Sequence, residues 1–131
     1  RTVMVEAKFI VFIVDDDDSM RTSLRLLIES NGYHAVAFKS AEDFLQSGSG
    51  ENPGCLILDV CLPGMDGFKL QEHLLKSQTR IPVVFITGHD RNQMEENAMR
   101  LGAVAYVRKP FDEECLLNAI RPLATRAAQP G

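Results

Sequence analysis

The stretch Cys55-Leu56-Ile57-Leu58-Asp59-Val60-Cys61-Leu62-Pro63-Gly64-Met65-Asp66-Gly67 decides how this chain is read. Its first four residues form a short apolar run of the kind found in strands buried on both faces of a parallel sheet, and the run stops at a carboxylate. Pro63-Gly64 and Asp66-Gly67 cannot prolong a strand and instead make a tight exposed turn. Asp59 is therefore expected at the C-terminal mouth of a buried strand, opening into a crevice. That is where open α/β sheets keep their chemistry. A lone aspartate in this position can also be a simple cap for the loop that follows, so the remaining strands have to decide between the two.

On the N-terminal side, Phe9 to Val14 is a second apolar, β-branched run, ended by Asp15-Asp16-Asp17-Asp18. Ser19 reads as the N-cap of a helix with Met20, Leu24, Leu27 and Ile28 on one face and Asn31-Gly32 as its stop. His34 to Phe38 makes another strand. Ser40, with Asp43 three residues on, starts a short helix with Phe44 and Leu45 inward and Gly48 as its end, and Ser47 to Gly54 is a polar loop.

On the C-terminal side, a helix from about Phe68 to Ser77 carries Leu70 and Leu74, and Pro82 to Ile86 is a buried strand ended by Thr87-Gly88-His89-Asp90. A helix from about Asn92 aligns Met94, Ala98 and Leu101 and stops at Gly102. Val104 to Val107 is the fifth strand, followed by Arg108-Lys109-Pro110-Phe111. Asp112 caps a last helix bearing Leu116 and Ile120, which Pro122 is expected to end or kink because it lacks an amide donor and clashes with the preceding turn.

Five strands alternating with five helices imply an α/β fold: a doubly wound, five-stranded parallel sheet with right-handed crossovers. No Gly-x-Gly-x-x-Gly follows the first strand, so the expected order is 2-1-3-4-5, the flavodoxin-like (βα)5 arrangement. Residues 9–123 form the domain, 1–8 an N-terminal extension and 124–131 the start of a linker.

At 131 residues the chain can bury a full core without disulfides or a structural metal. Cys55, Cys61 and Cys115 are odd in number and lack zinc-ligand spacing; two fall in elements expected to be buried, and free thiols in a reducing cytoplasm are the expectation. A net charge of −4 without a Lys/Arg stripe argues against nucleic-acid contact by this domain. No apolar run reaches the length of a membrane span, and none reads as a secretory leader.

In the 2-1-3-4-5 order the first and third strands are neighbours whose crossovers diverge, bringing Asp15, Asp16 and Asp59 to one crevice. Like charges so close are costly unless a cation offsets them. Hard carboxylate oxygens with room for water suit Mg2+, and a carbonyl just past Asp59, that of Cys61, can supply another ligand. Thr87 and Lys109 end the fourth and fifth strands and face the same crevice. A metal, an ammonium and a hydroxyl are what phosphoryl transfer asks of a protein.

Val14-Asp15-Asp16, Leu58-Asp59, Leu62-Pro63-Gly64-Met65-Asp66-Gly67, Ile86-Thr87-Gly88 and Lys109-Pro110-Phe111 together resemble the signature of the receiver domains of two-component response regulators, over roughly residues 9 to 121. The resemblance implies that Asp59 accepts a phosphoryl group from a sensor histidine kinase. It makes Asp16, Asp59 and the Cys61 carbonyl ligands of Mg2+, with Mn2+ able to substitute, and Asp15 a ligand directly or through water. Lys109 would pair with a phosphoryl oxygen, Thr87 would turn to another, and Tyr106 would be the aromatic that swings inward when the threonine moves. Cys61 and His89 fall at variable positions that tune dephosphorylation in such domains, and the Lys109-Pro110 bond is expected to be cis.

The implied protein is cytoplasmic and catalyses only its own phosphorylation and dephosphorylation. Its fourth helix, fifth strand and fifth helix would control a homodimer or a DNA-binding output domain beyond this chain, most like the receivers that precede a helix-turn-helix domain. The enzymatic rival is a haloacid-dehalogenase-type phosphatase with Asp15 as nucleophile and Asp17 as general acid, which leaves Asp59 without a role. A third reading is a receiver-like interaction module that is never phosphorylated.

Overall fold

The computed structural model describes residues 8–128. Its elements run β1 (Ile10–Val14), α1 (Asp18–Ser30), β2 (His34–Phe38), α2 (Ala41–Ser47), a single 3-10 turn at Ser49–Glu51, β3 (Gly54–Asp59), α3 (Gly67–Lys76), β4 (Val83–Thr87), α4 (Met94–Arg100), β5 (Ala105–Arg108) and α5 (Glu113–Ala128). All four neighbouring strand pairs are parallel, and the order is β2-β1-β3-β4-β5, as the sequence predicts. Residues 1–7 of the expected extension, and 129–131 of the expected linker, lie outside the described residues.

Alternation along the strands divides the core in two. Phe12, Val14, Leu56, Leu58 and Phe85 point to one face and pack with Phe44 of α2, Leu70 and Leu74 of α3 and Ala98 of α4. Val11, Ile13, Ile57, Val84 and Ile86 point to the other and pack with Leu24 and Ile28 of α1 and Leu116 and Ile120 of α5. Each large side chain so buried contributes about 1.5–3 kcal/mol. With both faces covered, chemistry is left to the strand ends.

The structure corrects several local expectations. Helix α1 is capped by Asp17, whose Oδ1 accepts the Met20 amide at 3.0 Å, so Ser19 lies inside the helix. Helix α4 begins at Met94 instead of Asn92, because Gln93 takes a left-handed conformation, φ 67°, just before it. Leu101 is its C-cap. Pro122 does not end α5: the helix continues to Ala128, so residues 124–128 are helical. Pro122 is exposed, while Leu123 directly after it is buried against α1 and the sheet. Burial of Leu123 holds the helix together across the missing amide.

Only one cysteine is buried, where two were expected: Cys55 lies inside β3, and Cys61 and Cys115 are exposed. Burial pushes the Cys55 thiol up to about 12. An alkylating reagent at neutral pH is therefore expected to modify two thiols in the native protein and the third only after denaturation, counted by intact mass. Labelling of Cys55 as fast as Cys61 would contradict the central position of β3.

Candidate functional site

The C-terminal ends of β1, β3 and β5 deliver the charged groups of the site. Asp15 follows the last residue of β1, and its amide extends the β1–β2 ladder by donating to the Phe38 carbonyl at 3.2 Å. Its carboxylate is fully buried. Oδ1 accepts the Asp17 amide at 2.9 Å and Oδ2 accepts Lys109 Nζ at 2.9 Å. Asp59 ends β3 and is 5% exposed; its Oδ1 accepts the Cys61 amide at 3.0 Å and its Oδ2 accepts Lys109 Nζ at 3.2 Å. Asp16 is exposed, yet one oxygen from each of Asp15, Asp16 and Asp59 lies within 4.8 Å of the others.

Lys109 is the cation at the centre. Its amide donates to the Thr87 carbonyl at 2.7 Å, which fixes the start of the side chain at the mouth of β4 and β5. Burial works against its ammonium, but the hydrogen bond it donates to Asp15 and the charges of Asp59 and Asp15 outweigh it, and the net shift is upward. Burial raises Asp59 above the ordinary carboxylate value; the Lys109 charge works downward, the Asp15 charge upward, and the Cys61 amide downward. Two carboxylates thus share one ammonium with a third, that of Asp16, beside them, and the crevice has room for more positive charge.

The donor set fits a hard divalent cation. Mg–oxygen distances are about 2.0–2.1 Å, so oxygens on opposite sides of one ion stand about 4.2 Å apart. The spacing of the three aspartates is within a small side-chain adjustment of that, and the exposure of Asp16 leaves water access.

The turn after β3 is built to come close. A Cβ on Gly67 would lie 2.4 Å from the Asp59 carbonyl oxygen, and the Gly67 amide donates to the Val60 carbonyl at 2.9 Å. Glycine at this point lets the loop fold back over the end of β3. Glu42 of α2 accepts the Met65 amide at 3.0 Å and ties the same loop to α2.

Thr87 is buried at the end of β4, and its Oγ1 accepts the His89 amide at 3.0 Å. His89 and Cys61 are exposed beside the crevice. Tyr106 is half-buried on β5 and donates its hydroxyl to Asp90 Oδ1 at 2.6 Å. Lys109-Pro110 is cis. Asp17, the general acid of the phosphatase reading, is occupied in capping α1.

Sequence reasoning missed Asp90, Arg108 and Glu95, which surround Tyr106. It also missed Arg21, whose Nη1 donates to the Asp15 carbonyl at 2.8 Å. Asp90 was visible only as part of a turn, and nothing in the spacing pairs it with residues 16 and 18 positions away.

The family described as the response regulator receiver domain matches residues 11–121. Nodulation protein W of Bradyrhizobium diazoefficiens is 47% identical over 113 residues, 86% of this chain and 50% of that protein. Transcriptional regulatory protein FixJ of the same organism is 37% identical over 120 residues, 92% of this chain and 58% of that protein. The solved structure of the response regulator StyR superimposes with a TM-score of 0.86 at 44% identity, covering 93% of this chain and 62% of that one. The chain spans about half the length of the curated relatives it matches.

Proposed function

The chain belongs to the response regulator receiver domain family, and on that premise we propose that Asp59 accepts a phosphoryl group from the phosphohistidine of a sensor histidine kinase. The observation that carries this reading is the Lys109 ammonium held between Asp15 and Asp59, beside the exposed Asp16, at the C-terminal ends of the paired strands β1 and β3. A carboxylate oxygen of Asp59 bonds to phosphorus as the phosphorus–nitrogen bond breaks, and the leaving imidazole takes up a proton. Hydrolysis of the acyl phosphate returns the carboxylate and inorganic phosphate. The chain's own chemistry is limited to these two steps.

Each residue has a part that follows from its position. The Cys61 amide fixes the orientation of the Asp59 carboxylate, and Lys109 exchanges a carboxylate contact for a phosphoryl oxygen. Asp16 and Asp59, with the Cys61 carbonyl and Asp15 directly or through water, would hold Mg2+, or Mn2+ in its place. That ion supplies positive charge against the equatorial oxygens of the transferring group. Thr87 then turns to a phosphoryl oxygen and Tyr106 swings inward, which remodels the face made by α4, β5 and α5.

That face would control a homodimer or a DNA-binding output domain lying outside this chain, in a cytoplasmic pathway from kinase to transcription. The name of the relative FixJ, a transcriptional regulatory protein more than half again as long as its matched segment, supports such an output. Residues 9–123 make up the receiver proper, and no nucleic acid or membrane contact is assigned to it. Among the described residues no helix is long and apolar enough to cross a membrane.

Incubation with a small phosphodonor tests the proposal by intact mass. The expected result is the gain of one phosphoryl group in the presence of Mg2+ and none when a chelator removes it. Magnesium binding without any mass gain, from the donor or from a kinase, would make the chain an interaction module that is never phosphorylated.

A further inference from the structure

Asp90 stands three residues beyond Thr87, in the turn that leaves β4, and both of its carboxylate oxygens are taken. Oδ1 accepts the Tyr106 hydroxyl at 2.6 Å, and Oδ2 accepts Arg108 Nε at 2.6 Å. Arg108 reaches on with Nη2 to Glu95 Oε1 at 2.5 Å, in the first turn of α4, and its guanidinium carbon lies 5.2 Å from the centre of the Tyr106 ring. Three parts of the chain, the turn after β4, the start of α4 and β5, are thereby tied together around one phenol. Side-chain hydrogen bonds to Tyr106 and Arg108 hold Asp90 below the ordinary carboxylate value, while burial and the Asp90 hydrogen bond and charge push the phenol up.

We propose that Asp90 is the positioning residue that keeps Tyr106 turned outward until Asp59 is phosphorylated, with Arg108 and Glu95 fastening it to α4. This rests on the switch reading of Thr87 and Tyr106 given above. Each contact is partly exposed and weak by itself, but together they select one orientation of the ring. They hold the ring in the orientation seen in the structure, so they bias the resting equilibrium toward it. Release is built into the same turn. For Thr87 to reach a phosphoryl oxygen it must leave the His89 amide, and that movement is passed one residue further to Asp90, drawing its carboxylate off the phenol.

The chain has two tyrosines, Tyr33 and Tyr106, so fluorotyrosine labelling gives a two-line fluorine NMR spectrum that Tyr33→Phe assigns. In the wild type the Tyr106 line is expected to move when the phosphodonor and Mg2+ are added. In Asp90→Ala without donor it should already lie at least half of the way to that phosphorylated position, and the variant should accept the phosphoryl group faster. Asp90→Asn, which keeps the shape and removes the charge, should shift the line less and in the same direction. Glu96→Ala, which deletes a charge from α4 without touching the cluster, should leave it in place. If the wild-type line moves on phosphorylation and Asp90→Ala rests where the wild type rests, the latch is overturned and the switch stands. A wild-type line that stays fixed through phosphorylation overturns both.

Discussion

Asp59→Asn is expected to abolish the phosphoryl gain entirely while leaving the domain folded and, without Mg2+, more stable than the wild type near neutral pH. Loss of the gain follows because an amide is no nucleophile toward phosphorus and its neighbours are poorly placed to replace it. Asp15 is fully buried with both oxygens engaged, and Asp16 is exposed with no lysine against it. The stability change follows from the raised pKa of Asp59. Between the ordinary carboxylate value and the raised folded value, the native state binds more protons than the unfolded chain. The contribution of Asp59 is therefore fully present below the ordinary value and is lost as pH rises through the folded one.

The melting temperature of Asp59→Asn relative to wild type should accordingly climb with pH across that window and level off above it. Magnesium should narrow the gap, because it offsets the charge only where all three carboxylates are present. A phosphoryl gain that survives the substitution would move the nucleophile to Asp15 and revive the phosphatase reading. Turnover of a generic phosphate ester lost in Asp15→Asn alone would complete that reversal.

The architecture was legible because its signals are local. Each buried strand is a short apolar run closed by a turn or charged residue, and the residues that close β1, β3, β4 and β5 are the ones the sheet brings to its C-terminal edge. Asp15, Asp16 and Asp59 therefore meet in space because the order β2-β1-β3-β4-β5 makes β1 and β3 adjacent. What the sequence hid was decided by competition between equally good local choices, or by pairs far apart along the chain. Asp17 and Ser19 are both good helix caps; Asp17 prevails, and in that conformation its own amide satisfies Asp15 Oδ1. Pro122 is a strong local stop, but burial of Leu123 overrides it. The Asp90, Tyr106 and Arg108 cluster crosses α4, and the Glu42 contact to Met65 crosses β3; neither leaves any periodic trace.

Gly54→Ala is expected to be the most damaging small substitution in the chain, although it lies at the opposite end of β3 from the chemistry. Gly54 is paired with Ile10 where β1 and β3 begin, and a Cβ there would stand 1.9 Å from the Ile10 carbonyl oxygen and 2.9 Å from its carbon. Both are backbone atoms inside the ladder, so no rotamer change can give way. Relief requires β1 and β3 to part at their first pair, which opens both faces of the core. A slip of register is no escape, since one residue of slip would turn every buried side chain of β3 to the other face and carry Asp59 away from Asp15. The cost should be about 3 kcal/mol or more, a large share of the roughly 5–15 kcal/mol that holds a domain folded. Gly32→Ala supplies the comparison: φ there is 88° and nothing lies within 4 Å, so only the left-handed backbone opposes it, at about 1–2 kcal/mol. Gly54 also has a positive φ, 159°, so urea midpoints of the two variants measured side by side show what steric exclusion adds to backbone strain. Equal losses would mean that β1 and β3 are not packed this closely at Gly54, and the alignment of Asp15 with Asp59 would need another cause.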